Sequence, residues 1–120
     1  MFGINDRDGQ KWLTQLRVRL SPLHAHKFHH NFGDIVTPMC LIHDGIEDSI
    51  HFLLHCRIFN TIRNDLLLNV SLLLSQNSRN LDDNALLNIL LYGSTHLTKD
   101  INKQILSQTI SFIRRSNRFC

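Results

Sequence analysis

Proline and glycine are scarce in this chain of 120 residues, with two and five copies. So few breakers leave little room for the tight turns of an all-β fold. Valine is scarce beside its aliphatic partners, 3 residues against 20 leucines and 12 isoleucines, a balance that favours helix over strand. No segment approaches the roughly 20 consecutive apolar residues of a membrane span; the richest, Leu66 to Leu74, is interrupted by Asn69 and Ser71. The opening, Met1 to Asp8, carries charges and no apolar stretch, so no secretory leader is expected and the chain is expected to stay inside the cell, in a reducing compartment. Three cysteines, an odd number, suit thiols or metal ligands better than a disulfide framework. The length admits one domain, residues 1–120, and excludes a large multidomain enzyme.

Hydrophobic residues make up 42% and charged residues 19%, enough to build a core. The net charge of +3 is modest, but its distribution is uneven. Residues 101–120 hold Lys103, Arg114, Arg115 and Arg118 with no acid, and Arg7, Lys11, Arg17, Arg19 and Lys27 outnumber Asp6 and Asp8 near the start. Basic ends of this kind suit contact with a polyanion, and equally a solvated surface.

The periodicity predicts a mainly α-helical domain of about five helices. Leu13, Leu16 and Leu20 place an amphipathic helix over Gly9 to Leu20. Ser21 followed by Pro22 reads as an N-cap and first helical residue, opening a second helix with Leu23, His26, Lys27 and His30 that ends near Gly33. From Asp34 to Ser49 the period is lost, and Pro38, Gly45, Asp44, Glu47 and Asp48 mark a loop or knuckle. Ile50, Ile58, Ile62, Leu66, Val70 and Leu74 then define a central helix with a break near Arg57. Residues 75–80 are polar and link it to a short helix capped by Asp82 or Asp83 and closed by Gly93. A last helix runs from about Asp100 to Arg115, burying Ile101, Ile105, Ile110 or Phe112, and Ile113, while Trp12 belongs in the core.

Seven of the eight histidines fall between His24 and His55, and Cys40 and Cys56 stand in or beside that window. Within it lies Cys40-x2-His43-x7-His51-x4-Cys56, two close ligand pairs separated by a loop. Thiolate and imidazole in such pairs assemble a tetrahedral zinc site. Four protein ligands leave no position for water, so a structural Zn2+ is expected rather than a catalytic one. The plainer alternative is two buried cysteines and two solvated histidines. Asp44, Glu47 and Asp48 are candidates to support a ligating imidazole. His24, His26, His29 and His30 make a histidine-rich helix that is a solvated face, a second metal site through His26 and His30 four apart on one face, or, the favoured functional reading, a nucleic-acid contact with Arg17, Arg19 and Lys27 neutralising phosphates. Glu47 and His51 are four apart, but no H-E-x-x-H pattern is present to support a hydrolase.

The run LRVRLSPLHAHKFHHNF at 16–32, TPMC at 37–40, IEDSIHFLLHC at 46–56 and an arginine at 63 resemble the zinc-binding domain that follows reverse transcriptase in non-LTR retrotransposons. NILLYGS at 88–94 and FIRRSNRF at 112–119 look like the tail of the same elements. The resemblance divides the chain into a zinc-binding segment at 16–63 and a helical tail at 64–120. In that family a cysteine pair spaced C-x2-C or C-x-C precedes a histidine and a cysteine with four residues between them. Cys40, His51 and Cys56 match; His43 takes the second cysteine's place under the first spacing, and Ile42, which cannot ligate, under the second. His55 is a less favoured substitute for His51. The resemblance implies a non-catalytic module that binds RNA or DNA, intracellular and in a nuclear setting, with no membrane partner and no polymerase domain in this chain. The contacts expected from the basic faces of the first two helices are Arg17, Arg19, Lys27, His29 and His30. The alternative is an inactive retrotransposon-derived remnant, or a helical protein-interaction scaffold.

Overall fold

A computed structural model describes residues 7–19, 21–29, 37–42, 45–77 and 80–119. Among them the fold is mainly helical, with five α-helices and no strand. The first, α1, spans Arg7–Arg17 and buries Trp12, Leu13 and Leu16. It stops short of the expected Leu20, because the chain turns at Arg19 into a left-handed backbone with φ 59°; Leu20 itself lies outside the described residues.

The second helix, α2, spans only His24–His29. Pro22 is therefore not its first residue. Ser21 Oγ accepts the Leu23 N–H at 3.1 Å, while the first helical N–H, that of His24, donates to the Glu47 carboxylate at 2.7 Å. The expected end near Gly33 lies outside the described residues. After the knuckle, a helical segment enters a π-helical turn at His51–His55, breaks at Cys56, passes through a 3-10 turn at Arg57–Phe59, and continues as α3 over Asn60–Leu74. The break near Arg57 is thus real, and Ser75 ends α3 with a left-handed residue.

Local signals closed the remaining two helices. Asp82 accepts the Ala85 N–H at 2.7 Å and starts α4, Asp83–Tyr92. Gly93 ends it at φ 75°, with its N–H on the Ile89 carbonyl. A Cβ there would stand 2.6 Å from Asn102 Oδ1, so both the dihedral and the close approach call for glycine. Thr98 caps α5, Lys99–Ser116.

The helix α5 is the spine: it packs on α3, α4 and α1. Ile105, Leu106, Ile110, Phe112 and Ile113 are buried along it, and Ile101 is partly buried. Two buried polar residues of α5 are satisfied by the turn and helix they face. Asn102 bonds both the N–H and carbonyl of Ser94, and Thr109 Oγ1 donates to the Leu90 carbonyl. Phe52, fully buried, sits among Phe59, Phe112 and Phe119 with ring centroids 5.3, 5.2 and 5.5 Å away. Edge-on and offset aromatic packing of this kind anchors the π turn to α5. No helix among the described residues is long and apolar enough to cross a membrane.

Candidate metal centre

Cys40, His51 and Cys56 converge between α2 and α3. Their ligand atoms lie within 4.8 Å of one another, and the residues are 1%, 8% and 1% exposed. In a tetrahedral zinc site the same atoms would be about 3.4–3.8 Å apart, so a small inward movement would seat an ion. His51 Nε2 is the one buried side-chain nitrogen or oxygen without a hydrogen-bond partner among the described residues. A buried polar atom left unpaired costs roughly 1–3 kcal/mol, and a metal ion is the partner for which two neighbouring sulfurs are suited. The residues present therefore fit a metal ion.

Three local features build the cluster. Cys40 sits in a tight knuckle where Met39 and Ile46 form an isolated antiparallel bridge, the Cys40 N–H donates to the Gly45 carbonyl at 2.9 Å, and the Glu47 N–H to the Pro38 carbonyl at 2.8 Å. Gly45 lies against the ligand ring: a Cβ would stand 2.9 Å from His51 Nδ1. The π turn then aligns the other two ligands. On an α-helix residues five apart point roughly 140° away from each other; here the Cys56 N–H returns to the His51 carbonyl at 2.7 Å, the i to i+5 bond of a π turn. That wider turn stacks Cys56 over His51 while Phe52 and Leu53 between them enter the core. Asp48 Oδ1 accepts the His51 N–H at 2.8 Å and holds the start of the turn.

Arg63 closes the other end. Buried at 4% exposure, it donates from Nε to the Leu53 carbonyl, from Nη1 to the Cys56 carbonyl and Asn60 Oδ1, and from Nη2 to the Phe52 carbonyl, all at 2.7–2.9 Å. These carbonyls would otherwise be the unpaired acceptors of a helix end. Burial pushes the Cys56 thiol above its ordinary value, the Ile58 N–H bonded to it pulls back, and Cys40 adds to the upward push. Burial likewise pulls the Arg63 guanidinium down, opposed by Cys56.

Of the four expected ligands, His43 lies outside the described residues, as does Asp44. His55 points elsewhere, exposed, with Nε2 2.6 Å from Asp83 Oδ2. Glu47 and Asp48 do not act as imagined for a ligating ring. Asp48 supports His51 through the backbone, and Glu47, 2% exposed, binds Arg118 instead. Arg118 also reaches the Pro22 carbonyl, so one buried carboxylate joins the knuckle, the start of α2 and the end of the chain. Sequence spacing offered no signal for that pairing across 71 positions.

The histidine-rich helix divides. His24 Nδ1 bonds the Met39 carbonyl at 2.6 Å and ties α2 to the knuckle. His26, 5% exposed, pairs with Ser21 Oγ, so it is buried and not part of a solvated face, although it borders the cleft described below. His30 lies outside the described residues. His29 and Arg19 are exposed, and Lys27 is half-buried. Arg17 donates from Nε to the Leu91 carbonyl at 2.6 Å and lies over Tyr92, 5.0 Å from the ring centroid; burial pulls its pKa down, and the nearby Tyr92 pulls the other way. Arg17, Arg19 and His29 line one cleft of about 420 Å³ between α1, α2, α4 and the 46–50 segment; Lys27 is not among its lining residues. The basic C-terminus is internally engaged. Arg114 covers Trp12, Arg115 pairs with Asp65, and Arg118 with Glu47.

Comparison with protein-family models, with curated proteins and with solved structures finds no match in any of the three.

Proposed function

We propose that the chain is a non-catalytic nucleic-acid-binding module organised by a structural zinc ion, of the kind that follows reverse transcriptase in non-LTR retrotransposons. The observation that carries it is the buried Cys40, His51 and Cys56 cluster with His51 Nε2 unpaired. Two thiolates and an imidazole are the donor set of structural zinc sites. His43 is the proposed fourth ligand. A buried ion with four protein ligands would organise structure and offer no open position for a reacting water. Zinc would clamp the knuckle to the π turn, and with it the wall of the basic cleft. Arg17, Arg19, Lys27, His29 and His30 would meet the phosphate backbone of RNA or DNA. The nuclear, intracellular setting belongs to the same proposal.

Elemental analysis of the purified protein tests the metal: one zinc per chain, lost in Cys56→Ser and His51→Ala, with a lowered melting temperature on chelation. His43→Ala losing the ion as well would establish it as the fourth ligand. No zinc in the unmodified protein would remove the basis of the proposal. A titration with nucleic acid at several salt concentrations tests the rest, since phosphate contacts weaken steeply as salt rises. A second reading, a helical scaffold that binds no nucleic acid, is favoured by the internal partners of Arg17, Arg115 and Arg118. Absence of salt-dependent binding by the zinc-loaded chain would establish it.

A further inference from the structure

The cleft beside the metal centre has features that phosphate neutralisation alone does not use. Its volume, about 420 Å³, falls within the range of roughly 300–1,000 Å³ typical of small-ligand clefts. Leu16, Leu87 and Leu91 contribute apolar lining. At its edge stands Tyr92, 51% exposed at the end of α4. Arg17 fixes that ring from one side through the cation–π contact and its bond to the Leu91 carbonyl. Asn88, exposed and one helical turn before Tyr92, lines the same cleft with an amide that both donates and accepts.

The charge at the mouth is positive. Arg17 and Arg19 line it, and the acid that shares it, Asp48, already turns one carboxylate oxygen to the His51 N–H. An apolar slot, an aromatic face, an amide and two guanidinium groups match the parts of one nucleotide: base, base edge and phosphate. Duplex bases are stacked and paired inside the helix and present no face to such a slot. An unpaired base does.

We propose that this cleft takes one unpaired nucleotide of a single-stranded nucleic acid, its base stacked on Tyr92 beside Asn88 and its phosphate at Arg17 and Arg19. The proposal rests on the nucleic-acid-binding reading above and narrows it from any phosphate backbone to a single strand. It also gives the metal a task. Ile46 and Asp48, on the cleft's far wall, belong to the segment strung between Cys40 and His51, so an ion that pins both ends shapes the cleft.

Tyr92 is the only tyrosine in the chain, so an adduct on tyrosine reports one position. The zinc-loaded full chain is titrated with a labelled 12-nucleotide oligouridylate, alone and annealed to oligoadenylate. The single strand is then substituted with 5-iodouridine, irradiated, and the adduct mapped by mass spectrometry. Expected are at least tenfold tighter binding of the single strand, an adduct on Tyr92, and a loss of roughly five- to hundredfold in Tyr92→Leu, the span that base stacking on an aromatic commands. Tyr92→Phe, which keeps the ring, should bind as the unmodified chain does and covers the case in which the leucine variant fails to fold. Equal binding of duplex and single strand, or adducts confined outside the cleft, would overturn the single-strand cleft and leave phosphate binding standing. No binding of either probe would overturn both.

Discussion

Arg63 is the residue whose loss should be felt most widely, because one side chain satisfies three main-chain carbonyls at the end of the π turn. Arg63→Met keeps an apolar stem over Phe112, where the guanidinium carbon now stands 5.9 Å from the ring centroid, and removes every donor. Hydrogen bonds to a charged group contribute about 1.5–3 kcal/mol each, and a buried carbonyl left bare costs about 1–3 kcal/mol. With relaxation and some water entry, three such carbonyls put the loss at about 3–5 kcal/mol, a large part of the roughly 5–15 kcal/mol that holds a small domain. Urea denaturation of the metal-loaded protein measures it directly, and the midpoint of thermal melting should drop by more than about 12 °C. Arg63→Lys retains the charge without the planar fork and should fall between the two. A loss below about 1 kcal/mol with metal binding intact would refute the idea that Arg63 holds the end of the turn that carries Cys56.

Other perturbations test the neighbouring contacts. Gly45→Ala places a methyl 2.9 Å from His51 Nδ1 and should weaken metal affinity by tenfold or more in a chelator competition, while leaving helix content by circular dichroism nearly unchanged; an unaltered affinity would show that the ring can yield. Metal affinity should fall at least tenfold per pH unit below neutrality, because the Cys56 thiol, held above its ordinary value by burial, must lose its proton to ligate. The metal-free fold should respond with the opposite sign. A raised thiol pKa contributes stability below the unfolded thiol value, and that contribution is lost as pH rises through the folded one, so chelated protein should denature more easily in alkaline buffer, and a flat profile would contradict this. Arg118→Ala leaves the Glu47 carboxylate, 2% exposed, with the His24 N–H but without its guanidinium partner, and should cost about 3–5 kcal/mol in urea, with Glu47→Gln added to it recovering part of the loss; simple additivity would show that the pair is uncoupled.

Much of the helical framework was legible because its determinants are local. Asp82 and Gly93 mark the ends of α4 by side-chain capping and by a left-handed dihedral, and neither depends on what lies elsewhere in the chain. The stripe of α5 and the break near Arg57 follow in the same way from spacing. Where the expectation slipped, a distant partner had replaced a local one. Ser21 and Pro22 have the pattern of a helix start, yet α2 begins at His24 because the Glu47 carboxylate, 23 positions away, takes its first N–H. His26 looked like part of a solvated face and is buried by the same short helix being pressed against the knuckle.

The sequence by itself determined the mainly helical class, most helix ends and the presence of Cys40, His51 and Cys56 as soft donors at ligand spacing, since composition, periodicity and capping act over a few residues. Only the tertiary structure decided what those residues meet. It set the π turn that swings Cys56 over His51, the aromatic anchor that fixes it to α5, the glycine that makes room for the imidazole, and the diversion of Arg118 into a buried pair with Glu47. Contacts across dozens of positions depend on where whole helices come to rest, and that is settled by how their apolar faces bury one another.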